Sequence, residues 1–88
     1  MPIRFEWGER KRAANLERHG FDFADAAEVF EGFTVTYEDD RFAYGEQRFV
    51  TLGLLRGVPV SIVHLESPRR IRVISFRKAT RREEAQLF

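Results

Sequence analysis

The side chains best suited to chemistry lie in the second half of the chain. His64 and Glu66 stand two residues apart, Arg69-Arg70 and Arg72 follow closely, and Arg77-Lys78 end the same stretch. Arg48 comes earlier. A carboxylate or an imidazole can take a proton from a hydroxyl, and an adjacent cation or proton donor can meet a leaving oxygen. Fixed guanidinium groups can stabilise the charge that gathers on a phosphate under attack. The set therefore suits RNA cleavage without a metal, with the ribose 2′-hydroxyl as nucleophile. Glu66 or His64 serves as the base, Arg72 and Arg77 attend the phosphate, and Arg48, Lys78, Arg69 and Arg70 add RNA contacts. Each also has an ordinary structural reading: His64 as a half-buried strand residue, Glu66 as a loop charge, Arg72 and Arg77 as cross-strand ion pairs. No Walker loop, Ser-His-Asp order or metal-ligand spacing occurs, so no motif fixes a mechanism by itself. No cofactor and no metal are expected.

Strands must gather these residues. Ile71–Thr80 alternates apolar and basic types. As a strand it places Ile71, Val73, Ser75 and Arg77 on one side and Arg72, Ile74, Phe76 and Lys78 on the other. Gln47–Leu55 and Val58–Leu65 read as strands joined by a tight turn at Arg56-Gly57. That turn pairs Phe49 near His64 and Arg48 near Leu65. A second loop centred near Pro68 sets His64 opposite Arg72, and a slip of one residue would part them.

The first half supplies support. Pro2–Trp7 reads as a short strand, and Glu9–His19 as a helix with Gly8 a weak N-cap and Gly20 at C′. Its narrow apolar side is Ala13, Ala14 and Leu16, and Lys11, Asn15 and His19 form a polar stripe. A second helix starts at the N-cap Asp22, with Asp25 at N3 and Phe21 stapling on Ala26. Its core stripe is Phe23, Ala26, Ala27 and Phe30, and Gly32 ends it. Phe33, Val35 and Tyr37 then alternate in a strand, followed by a polar loop of Glu38-Asp39-Asp40-Arg41 with Gly45. Thr80-Arg81-Arg82-Glu83 is a capping box opening a short last helix, with Ala79, Leu87 and Phe88 available for docking. The order is β-α-α-β-β-β-β-α. It implies one α+β domain over residues 1–88, with two N-terminal helices packed on a mostly antiparallel sheet of about four strands and a short C-terminal helix.

Composition sets bounds. The chain is 43% hydrophobic and 33% charged, enough for a compact core to which nine Phe, two Tyr and one Trp contribute. Without Cys it forms neither a disulfide nor a thiolate metal site. No apolar run approaches the roughly 20 residues of a membrane span, and no signal peptide is visible, so a cytoplasmic protein without membrane contact is expected. The net charge of +1 does not announce a nucleic-acid binder. Its distribution says more: residues 21–40 hold seven acids and no base, and residues 67–82 hold seven bases and no acid.

Taken in order, the chain resembles the BrnT family of type II toxin–antitoxin toxins, small ribonucleases with a RelE-like fold. The matching text is Phe5-Glu6-Trp7, Glu9, Lys11, Asn15, His19-Gly20, Phe23, Ala26 and Phe30. It continues with Tyr44-Gly45-Glu46-Gln47-Arg48-Phe49, Leu52-Gly53, His64, Glu66, Arg72-Val73-Ile74-Ser75, Arg77-Lys78-Ala79-Thr80 and Glu83-Glu84. The resemblance implies translation inhibition by RNA cleavage. It also implies neutralisation by a cognate antitoxin with a ribbon–helix–helix DNA-binding part, and operator DNA bound only through the complex. Gly8, Ser67 and Phe76 depart from the family pattern, where Asp, Arg and Ala are usual. The alternative is a non-catalytic or attenuated toxin-fold module that pairs with a DNA-binding antitoxin.

Overall fold

The computed structural model describes residues 3–40 and 45–88. The Pro2 start of the first strand, the Arg41 end of the polar loop and Tyr44 of the matching text lie outside them. Five strands and three short helices follow one another: β1 (Arg4–Glu6), α1 (Glu9–His19), a 3-10 turn (Phe23–Asp25), α2 (Ala26–Phe30), β2 (Val35–Asp39), β3 (Arg48–Leu55), β4 (Val58–Ser67), β5 (Arg70–Lys78) and α3 (Arg81–Glu84). The fold is α+β. Phe33 falls before β2 and is exposed.

The strands form one sheet in the order β1-β5-β4-β3-β2. It has five strands, not about four, and it is mixed, because β1 lies parallel to β5 with Phe5 beside Ile71. The β3–β4 hairpin has the expected register, with Phe49 opposite His64. Its turn holds Arg56 at φ 49° and Gly57 at φ 85°, both left-handed, as a two-residue turn between twisted strands requires.

The β4–β5 register differs from expectation by one residue. Ser67 pairs with Arg70, Leu65 with Arg72 and His64 with Val73. Directly opposed residues share a face, so Arg72 points away from the His64 side. A bulge then re-phases β5: Val63 pairs with Ser75, leaving Ile74 as the extra residue. Ile71, Val73 and Phe76 consequently all reach the core, and the simple two-sided division of this strand fails after Val73.

Both faces of the sheet are partly covered. On one, Phe23, Ala26 and Val29 pack on Leu55, Val60, Ile62, Val73 and Phe76. Val29 thus joins the core stripe, while Ala27 and Phe30 are only half-buried. Gly53 permits this approach, since a Cβ there would lie 2.7 Å from Val29 Cγ1. On the other face Leu87 docks on Val50 and Leu52, and Phe88 stays exposed. The capping box at Thr80 and Glu83 forms as expected.

Helix α1 docks by the opposite side from the one expected. Ala13, Ala14 and Leu16 are exposed, and Asn15 is buried. Its Nδ2 donates to the carbonyls of Phe76 (2.8 Å) and Phe21 (3.0 Å), and its Oδ1 accepts from the Phe76 N–H at 3.0 Å. The reason is backbone pairing. β1 accompanies β5 only to Arg72, and the Asn15 amide stands in for a strand at Phe76 beyond it. Asp22 caps the 3-10 turn at Ala24 N and accepts two bonds from Arg12, at 2.7 and 2.9 Å. Hydrogen bonding to Arg12 holds the Asp22 carboxyl down at about 2. Asp25 makes no reciprocal cap and faces Arg56, and Phe21 stacks on Phe76 at 5.1 Å. Among the described residues no helix is long and apolar enough to cross a membrane.

Candidate active site

Where β1, β5 and β4 meet, the face of the sheet away from α1 and α2 carries a row of cations. Parallel pairing sets Arg4 beside Arg70 and Glu6 beside Arg72. Arg72 Nη1 lies 3.6 Å from Glu6 Oε1, and both side chains remain accessible. Such an exposed pair is weak, so the Arg72 guanidinium stays available to an anion. Gly8 adjoins it: a Cβ there would sit 3.7 Å from Arg72 Nη2. A shallow groove of about 260 Å³ opens here, lined by Glu6, Leu65, Glu66, Ser67, Arg70 and Arg72.

Glu66 stands at the rim of this groove and also lines a larger one of about 660 Å³, shared with Ile3, Phe30, Thr36, Pro68 and Ile71. Its side chain is 41% exposed and within reach of a substrate. Behind it, His64 is fully buried, with its ring against Phe30 (5.2 Å, edge-on) and Phe49 (6.1 Å). His64 Nε2 meets Thr51 Oγ1 at 2.7 Å, Thr51 meets Thr36 Oγ1 at 2.7 Å, and His64 Nδ1 lies 3.6 Å from Glu66 Oε1. Burial pushes the imidazole down to about 4, so the ring is neutral at pH 7. With the proton on Nδ1, Nε2 accepts from the Thr51 hydroxyl, while Nδ1 makes no hydrogen bond, Glu66 lying too far off at 3.6 Å.

The structure thus gathers Glu66, Arg70 and Arg72 at one groove, with His64 behind and Arg69 in the adjoining turn. The expected His64–Arg72 juxtaposition is absent, for the register reason above. Arg48, opposite Asp39 and 3.8 Å from Glu46, lies two strands away from Arg72. Arg77 is elsewhere. It donates twice to Glu83, at 2.8 and 3.0 Å, and ties α3 to the sheet. Burial opposes ionisation of Glu83, but the bonds from Arg77 and Thr80 hold its carboxyl below the ordinary range. Lys78 pairs opposite Val60, also away from the groove.

Sequence reasoning missed Glu6 and Gly8, because only the parallel pairing of β1 with β5 brings them to Arg72. It also missed Thr36 and Thr51, whose one signal is their place on the same strand faces as His64. Among the described residues no three His, Asp or Glu side chains converge as a metal ion would require.

A family profile described as the ribonuclease toxin BrnT of a type II toxin–antitoxin system matches residues 7–83. The chain is similar to the Brucella abortus ribonuclease toxin BrnT, known from a crystal structure at 1.1 Å. Identity is 27% over 90% of this chain and 99% of that one, with a TM-score of 0.68. No curated protein sequence matches significantly.

Proposed function

This chain belongs to the BrnT family of ribonuclease toxins of type II toxin–antitoxin systems, and we propose that it cuts RNA in the groove between Glu66 and the Arg70–Arg72 pair. Family membership gives it RNA as substrate and a cognate antitoxin as partner. The observation that carries the site is that one accessible carboxylate and two accessible guanidinium groups line a single groove at the end of β4 and β5, Glu66 from the His64 face and Arg70 and Arg72 from the opposite one, with a buried neutral imidazole behind the carboxylate.

Glu66 takes the proton of the ribose 2′-hydroxyl. The 2′-oxygen bonds to phosphorus while the bond from phosphorus to the 5′-oxygen breaks, leaving a 2′,3′-cyclic phosphate and a 5′-hydroxyl. Arg72 and Arg70 stabilise the charge on the non-bridging oxygens. The departing 5′-oxygen takes its proton from water beside these cations. His64 does not touch substrate. It stands behind Glu66, 3.6 Å from the carboxylate, and is held by Thr51, which in turn meets Thr36. Arg69 and Arg48 extend the RNA contacts, and Arg77 and Lys78 serve the fold and its outer surface. No step needs a metal. The helices on one face of the sheet and the short C-terminal helix support a RelE-like reading of the fold. A cytoplasmic location, and an antitoxin with a ribbon–helix–helix part that carries the complex to operator DNA, complete the proposal.

Induced expression in a bacterial host, with growth followed and RNA ends mapped, tests it. Growth arrest with discrete new 5′-hydroxyl ends is expected, lost in Glu66→Gln and Arg72→Ala and kept in Lys78→Ala. Arrest that survives both of the first two variants places the site elsewhere.

A further inference from the structure

A second groove, of about 250 Å³, lies between α1 and the edge of β5, lined by Lys11, Arg18, His19, Asn15, Ile74 and Ser75. Its position follows from the fold. β1 leaves β5 after Arg72, and the bulge at Ile74 bends the strand there. Asn15 holds the helix against Phe76. Lys11 and Arg18 are seven residues apart, two turns along one helix face and about 10 Å of rise. Among the described residues neither carries an ion pair, whereas Arg12 on the same helix is engaged by Asp22 and Glu9. These two cations are thus held over a groove without local neutralisation.

The groove shares no lining residue with the candidate active site, and Gly8 at the start of α1 stands between the two. Arg72 projects beside Gly8, at the start of α1, and Lys11 is one helical turn further on. We infer that this groove is a second phosphate-binding subsite, carrying the RNA strand away from the cleavage groove along Arg72, Lys11 and Arg18. The inference rests on the ribonuclease reading above. Ser75 offers a hydroxyl to the backbone, and the half-exposed His19 ring offers a face on which a base can stack. RNA fits better than a protein partner, because such partners dock through buried apolar or aromatic anchors and this groove has only Ile74 and Ala14 to receive them. The apolar groove at Ile3, Phe5 and Phe30, on the other side of β1, has that character instead.

The test compares the full-length protein with a Lys11→Gln/Arg18→Gln double variant, both confirmed folded by thermal melting. Binding to a fully 2′-O-methylated 12-nucleotide RNA is titrated over a range of salt, and cleavage of a dinucleotide that fills only the active-site groove is timed. The double variant is expected to bind the 12-mer roughly tenfold more weakly at low salt. Its salt slope should be shallower by about 1.4, at about 0.7 for each phosphate no longer neutralised, with dinucleotide cleavage unchanged. A wild-type slope in the double variant overturns the subsite and leaves the cleavage site standing. An equal loss on the dinucleotide overturns it as well. If neither protein binds the 12-mer, the subsite and the ribonuclease reading fall together. Weakened binding of the cognate antitoxin with RNA binding intact assigns the groove to the protein partner and overturns the inference.

Discussion

Replacing Asn15 by Ala is predicted to be among the most damaging single changes on α1, although the residue is polar and its helix is charged around most of its circumference. Of the three hydrogen bonds the side chain makes, the two to Phe76 are buried and the one to Phe21 O is partly exposed. A buried backbone group left unpaired costs about 1–3 kcal/mol, and water can replace the partner of a partly exposed one. The two Phe76 groups therefore set a loss of about 2–6 kcal/mol. For a domain of this size each kcal/mol moves the melting midpoint by about 4–8 °C, so Asn15→Ala should melt at least about 8 °C lower. Leu16→Ala on the same helix removes a side chain that is already 44% exposed and should cost less than about 1 kcal/mol. Asn15→Asp keeps the acceptor for the Phe76 N–H but turns a carboxylate toward the Phe76 carbonyl, and should be no better than Ala. Thermal melts followed by circular dichroism order the three variants. A Leu16→Ala protein less stable than Asn15→Ala would refute the claim that the amide, and not an apolar stripe, fastens this helix.

Other consequences concern pH, packing and the cap. Because the His64 imidazole sits near 4 in the folded chain and near 6.5 when unfolded, the unfolded chain binds the extra proton between these values. The His64 contribution is intact above about pH 6.5 and is lost as pH falls toward 4, to a limit on the order of 3 kcal/mol at about 1.4 per pH unit. In melts from pH 7 to pH 4, His64→Gln should have the shallower slope, and parallel slopes would exclude this source. Gly53→Ala drives a methyl to within 2.7 Å of Val29 Cγ1 and 3.1 Å of Thr34 Cγ2, at a cost of about 1–3 kcal/mol. A Val29→Ala change should recover part of that loss in urea unfolding. Gly8→Asp supplies the side-chain cap that α1 lacks but sets a carboxylate beside Arg72. Stability should rise by a few tenths of a kcal/mol in thermal melts, and an unchanged midpoint would deny the new side chain a capping role.

Much of the architecture was legible where local chemistry decides it. Gly20 in the left-handed region ends α1 at His19, the capping box opens α3, and Arg56-Gly57 fixes the β3–β4 register. What stayed hidden depends on residues distant in sequence. The Asn15 clamp is visible only once α1 lies over the β5 edge, since an Asn in a charged helix otherwise reads as solvated. The bulge at Ile74 shifts a period-two pattern by one residue without a glycine to mark it. The pairing of β1 with β5 joins positions more than sixty residues apart and alone brings Glu6 and Gly8 to Arg72. The candidate site was legible as a set of residue types and not as a place. His64 and Glu66 share a strand face and stay together, whereas Arg72 crosses to the other face and Arg77 is drawn away to Glu83.

The central claim is that Glu66 and Arg72 cleave RNA at the end of the sheet. The most direct measurement incubates the purified chain with a short RNA in the presence of a chelator and resolves the product ends. Cleavage should persist in chelator, yield 2′,3′-cyclic phosphate and 5′-hydroxyl ends, and be lost in both Glu66→Gln and Arg72→Ala. Cleavage that stops in chelator, or that continues undiminished in both variants, would contradict it.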